Sequence, residues 1–99
     1  MSIAKEIFLQ IGGNRMVVMT GAKNFVGSKN SLSFKLPSKF AKDEINYVKI
    51  TLNSLDLYDI ECGKLWGSKY KVIKTSENVY NTDLQKDFVE LTGLKTRLF

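Results

Sequence analysis

The stretch NYVKITLNSLDLYDIEC, residues 46–62, limits the fold more than any other part of the chain. In its first half Val48, Ile50 and Leu52 alternate with Tyr47, Lys49 and Thr51. In its second half Tyr58, Ile60 and Cys62 alternate with Asp59 and Glu61. Successive side chains of a strand point to opposite faces, so a period of two specifies one buried face and one solvated face. Only a short polar SLD connection separates the two runs, and they therefore read as an antiparallel hairpin with Ile50 and Leu52 in the core. The apolar side of that hairpin has to be covered by something else in the chain.

Two helices are expected to supply the cover. Ile3, Ile7 and Ile11 recur at helical spacing with Phe8 alongside, Ser2 stands where a cap belongs, and Gly12-Gly13 ends the run. Near the other end Tyr80, Leu84, Phe88 and Leu91 mark one helical face, Thr82-x-x-Gln85 matches a capping box, and Gly93 marks the stop. Three further runs read as strands: RMVVMT (15–20), LSFKL (32–36, closed by Pro37) and SKYKVIKT (68–75). The glycine- and asparagine-rich GAKNFVGSKNS reads as a connection, and SKFAKDE (38–44) as one helical turn. Strands in succession without intervening helices imply antiparallel pairing. The expected fold is α+β: a single mainly antiparallel sheet of four or five strands, with an N-terminal and a C-terminal helix packed on it. A chain of 99 residues supports one such core, so residues 1–99 form a single domain.

The same residues exclude much chemistry. A phosphate-cradling P-loop places G-x-x-x-x-G-K-[ST] between a strand and a helix. Gly21-Ala22-Lys23-Asn24 lacks that spacing and the hydroxyl residue, so Gly12-Gly13 reads as a helix stop and Gly21 as a turn. The chain has no histidine and a single cysteine. It therefore lacks the usual general base at neutral pH, the ligands of a structural zinc site and the means to form an internal disulfide. Cys62 lies on the inward phase as a buried thiol, and Asp56, Asp59 and Glu61 read as partners of Lys49, Lys69 and Lys71 across the strands rather than as a cation site. No enzyme, cofactor or metal is expected. Apolar runs of only a few residues predict no membrane span, and Lys5 and Glu6 interrupt the pattern a secretion signal would need.

Charge alternates along the chain. Residues 1–42 carry seven bases against Glu6, and residues 43–62 five acids against Lys49. Residues 63–76 carry four lysines and no acid, and residues 77–92 four acids against Lys86. Such blocks suit strands that pair charge with their neighbours more than one continuous basic stripe. Tyr47, Lys35, Lys49 and Lys71 could share one solvated sheet face, the combination with which single-strand platforms stack bases and hold phosphates. But Tyr47 is the only outward aromatic of the best-phased strands, and Asp59 and Glu61 lie on the same phase, so the face reads as solvated and charge-paired. Trp66, in the glycine-flanked GKLWGSKY, either folds onto the core edge or projects as an interface anchor. Tyr47 and Phe25 are the other aromatic anchor candidates, and Lys64 and Lys69 would steer the indole towards an acidic partner.

In GGNRMVVMTGAKNF (12–25), NYVKITLNSLDLYDIE (46–61) and VYNTDLQKDFVELTGLKTRL (79–98) the chain resembles a widespread group of short, uncharacterised proteins encoded by tailed bacteriophages and prophages. The GGN…MTGAKNF block is the most recognisable of the three, whereas Cys62 and Trp66 depart from the group's pattern. The resemblance implies a phage or mobile-element origin and a place in the host bacterial cytoplasm, and it transfers no functional residue. In that setting the chain is expected to be a small non-enzymatic accessory protein that binds a host or phage protein. The alternative is a nucleic-acid-binding accessory in phage replication or packaging.

Overall fold

The computed structural model describes residues 3–37 and 44–93. The order of elements is α1 (Ile3–Gln10), α2 (Gly13–Thr20), β1 (Lys23–Gly27), β2 (Ser31–Lys35), β3 (Tyr47–Leu52), β4 (Tyr58–Trp66), β5 (Lys69–Val79) and α3 (Leu84–Thr92). The five strands form one antiparallel sheet in chain order, β1-β2-β3-β4-β5. The fold is α+β as the sequence predicts, but with two N-terminal helices rather than one. The expected cap at Ser2 and most of the expected turn at 38–44 lie outside the described residues.

One strand of the expected set is a helix. RMVVMT belongs to α2, which begins immediately after a reversal at Gly12 and Gly13. Both glycines take positive φ, 122° and 58°, a region that side chains with a Cβ resist. The reversal turns α2 back on α1 and buries Met16 and Thr20 one turn apart. Thr20 Oγ1 donates to the Met16 carbonyl at 2.6 Å and accepts from the Ala22 amide at 3.2 Å, so this buried hydroxyl is satisfied. Val18 is 81% exposed, which a two-sided buried strand would not allow. Gly21, expected as a turn, is the C-cap of α2: its amide donates to the Val17 carbonyl at 2.9 Å.

The strand that replaces it is β1, in the segment expected to be a connection. Its five residues are all exposed, so it carries none of the burial alternation by which a strand is recognised. It pairs with β2 at a sheet edge, with an irregularity between Lys23 and Val26 where Asn24 takes positive φ. Short, lysine-bearing and irregular strands are the usual way of blunting such an edge.

All three helices contribute to a core on one face of the sheet. Leu32 and Phe34 of β2, Val48 and Ile50 of β3, and Tyr58, Ile60 and Cys62 of β4 meet Ile7, Met16, Leu84 and Phe88 from the helices and Ile11 from the turn between α1 and α2. Phe8, Phe25, Phe34 and Phe88 form a row of ring contacts with centroids 5.2–5.8 Å apart, running from α1 across the sheet to α3. Ile50 is fully buried at the centre, while Leu52 is half-buried at its margin. At the C-terminal end Gly93 stops α3 as expected, with its amide on the Val89 carbonyl at 2.7 Å. The capping box does not form. Thr82 lies in a 3-10 turn (Asn81–Asp83), Asp83 is the N-cap without a side-chain bond, and Tyr80 precedes the turn at 62% exposure rather than lining the helix.

Candidate functional site

β4 runs four residues past the expected end of its strand, and with β5 it builds a second hairpin. The two-residue turn Gly67-Ser68 closes it, with φ 59° at Gly67 and a non-positive φ at Ser68, the pattern of a II′ turn. That turn fixes the register: Trp66 opposite Lys69, Leu65 opposite Tyr70, Lys64 opposite Lys71 and Gly63 opposite Val72. Residues directly opposite share a face. Lys64, Trp66, Lys69 and Lys71 therefore stand together on the helix side of the sheet, at the hairpin tip.

Trp66 is 44% exposed there. Lys64 Nζ lies 5.7 Å from the centre of its ring, close enough for a cation–π contact, and pairs with Glu44 at 2.8 Å. Lys69 and Lys71 have no carboxylate partner among the described residues. Lysines directly opposite one another, as Lys64 and Lys71 are, repel across the strands. Three of the five expected interaction residues, Trp66, Lys64 and Lys69, thus meet in one patch, and Lys71 joins them.

The other two do not. Phe25 lies on the helix side of β1, its ring edge-on to Phe8 and tilted against Phe34. It packs the core margin instead of projecting from a turn. Tyr47 is on the outward phase as expected, which places it on the face opposite Trp66. That outer face carries Lys35 opposite Tyr47, Tyr47 opposite Gly63, and Lys49 opposite Glu61. Lys71, expected to share the face with Tyr47, is on the other side.

The expected charge pairing of Asp59 and Glu61 is also replaced. Although Lys49 faces Glu61, no ion pair joins them. Glu61 Oε2 accepts the Tyr70 hydroxyl at 2.9 Å instead. Asp59 Oδ1 accepts from Asn53 Nδ2 and from the Asn78 amide, each at 3.0 Å. Neutral donors reach these carboxylates because Asn53 closes the β3–β4 turn and Asn78, with positive φ, sits at the register irregularity of β5. Among the described residues, no three of Cys, Asp and Glu gather into a group that could hold a metal ion.

Tyr70 was missed by sequence reasoning. Its ring lies across Gly63 and meets Tyr47 edge-on, with centroids 5.3 Å apart and planes at 78°. Burial and the bond to Glu61 raise its pKa, so the hydroxyl stays a donor well into alkaline solution. The signal that would have found it is the Gly-Ser turn, from which the register of the hairpin can be counted. Beside this row Lys23, Asn24, Lys35, Leu36, Pro37, Asn46 and Leu65 line a hollow of about 240 Å³, in which Lys23 and Lys35 are themselves register partners.

Cys62 is enclosed on the core side, and burial pushes its thiol up to about 12. At neutral pH the thiol is therefore protonated as well as enclosed. Among the described residues no helix is long and apolar enough to cross a membrane. No family model, curated protein sequence or solved structure matches the chain.

Proposed function

We propose that this chain is a small, non-enzymatic accessory protein of a phage or mobile element, acting in the bacterial cytoplasm by binding another protein. The observation that carries the reading is the patch of Trp66, Lys64, Lys69 and Lys71 at the hairpin tip. A large aromatic side chain left 44% exposed and ringed by lysines is the composition of an interface hot spot. Trp66 would fill a pocket on the partner, and the lysines would raise the rate of encounter with an acidic surface. The resemblance of three sequence blocks to short phage proteins supplies the biological setting.

The test uses the full chain and two variants, Trp66→Ala and Lys69→Glu. Proteins retained from a bacterial lysate by the native chain but by neither variant are identified, purified and titrated against all three. A partner whose affinity falls at least tenfold in Trp66→Ala, while melting temperature is kept, supports the reading. Equal retention by native and variant chains, or a loss of melting temperature with retention unchanged, removes it.

A further inference from the structure

We propose that the face of the sheet opposite the helices binds single-stranded nucleic acid along the row Lys35–Tyr47–Tyr70. This surface is separate from the Trp66 patch and does not depend on it.

The row crosses three strands. Lys35 is the partner of Tyr47, Tyr47 of Gly63, and the Tyr70 ring covers Gly63. Gly63 has no side chain, the Tyr70 ring fills the space its Cβ would take, and Tyr70 remains 38% exposed. Two constraints hold it there: the edge contact with Tyr47 and the hydrogen bond to Glu61. A partly exposed ring held in place gains stacking energy from a base without first losing rotamer freedom. Bases within a duplex are already stacked, so such a surface selects single strands.

The charge around the row fits a phosphate backbone. Lys23, Lys35 and Lys49 share the face, and none has a carboxylate partner among the described residues. Lys23 and Lys35 are directly opposite and repel each other until an anion lies between them. Three acids share the face: two accept hydrogen bonds from neutral donors, and the third, Glu77, stands on β5 beside Asp59, at the far end from the row. Glu61 is engaged by Tyr70, and Asp59 is held by Asn53 and Asn78, about 13 Å along β4 from Gly63 at the usual strand rise. An acidic peptide would use the lysines equally well, whereas stacked bases would use the two tyrosine rings together with them.

Fluorescence anisotropy of a dye-labelled oligothymidylate of about 10 nucleotides, repeated with oligouridylate and over a salt series, tests the assignment. Saturable binding is expected at low salt. The logarithm of affinity should fall with the logarithm of salt at a slope near −2, from about −0.7 for each of three phosphates neutralised. Lys35→Gln and Lys49→Gln should each flatten that slope by about 0.7. Tyr47→Leu and Tyr70→Leu should each weaken binding about fivefold or more, with thermal melts run to show that each variant is folded. Should Tyr70→Leu fail to fold, Tyr47→Leu and the lysine variants carry the test alone. Trp66→Ala should leave oligonucleotide affinity unchanged. The assignment is overturned if no saturable binding appears at low salt, or if a duplex or polyglutamate competes as well as the single strand. It is equally overturned if Trp66→Ala weakens binding while the Tyr47 and lysine variants do not.

Discussion

The Tyr70 ring occupies the space above Gly63 where any other residue would place its Cβ, with Cε1, Cζ and the hydroxyl all too close for a methyl group to fit. Gly63 is therefore a requirement of the outer face and not only of the strand. In Gly63→Ala the ring has to lift, which removes its hydroxyl from Glu61 and its edge contact from Tyr47. The expected loss is about 1–3 kcal/mol, the range for overpacking with local rearrangement. Urea denaturation measures it. A change below about 0.5 kcal/mol, the ordinary scatter of surface substitutions, would show that the ring moves aside freely and is not held.

Ile50 supplies a matching test for the core. It is fully buried on the central strand, between Leu32 of β2 and Ile60 of β4. Ile50→Ala should cost about 2–5 kcal/mol through lost transfer energy and the cavity left behind. Native-like stability for that variant would contradict the placement.

The strands just named were legible because each carries a full alternation with its inward phase apolar. The failures came where one local signal was consistent with two structures. Met16, Val17, Val18 and Met19 are a short apolar run, and periodicity does not separate strand from helix over so few residues. The Gly12-Gly13 reversal and the Thr20–Met16 bond decide for helix, and both are visible only once α1 and α2 are packed together. β1 failed for the opposite reason: an edge strand with every residue exposed leaves no pattern to read. At the candidate site, exposure of Trp66 depends on how far the β4–β5 hairpin outruns the helices, which no residue of the hairpin encodes. Its register was encoded, in Gly67-Ser68, and with it the company that Trp66 and Tyr70 keep.

Stability should fall on the alkaline side. Burial raises the pKa values of Cys62, Tyr58 and Tyr70, with the Tyr70–Glu61 bond adding to the last and the Glu6 charge to that of Tyr58. The fold thus favours the neutral acids, and their contribution is whole below the unfolded values of 9.0 for the thiol and 10.0 for the phenols. It is lost as pH rises from there, for Cys62 over the window up to about 12. For the enclosed thiol the slope reaches about 1.4 kcal/mol per pH unit within its window, while the partly exposed Tyr70 contributes less because solvent screens it. No histidine is present to titrate near neutrality. Melting temperatures from pH 7 to 11 should therefore hold nearly level to pH 8 and then drop. In Cys62→Ala the drop should begin about one unit later, when the phenols take over. An unchanged onset in that variant would mean that the thiol is not enclosed.

Lys71 offers the sharpest separation of stability from binding. It stands directly opposite Lys64 with no acid of its own among the described residues, while Lys64 turns to Glu44 and the Trp66 ring. Replacing Lys71 with glutamate converts a repulsive cross-strand pair into an attractive one, worth about 0.2–1 kcal/mol. The new carboxylate also competes for Lys64 and reverses the local field that an acidic partner would meet. Lys71→Glu should accordingly melt higher than the native chain and bind the protein partner more weakly, chiefly through a slower association rate that depends less on salt. Lys71→Gln, which removes the repulsion without adding an acid, should fall between the two in both measurements. If Lys71→Glu melts higher but associates as fast as the native chain, the hairpin tip is not where the partner docks. If it melts lower, the two lysines do not face each other as the register requires, and the patch itself is misassigned.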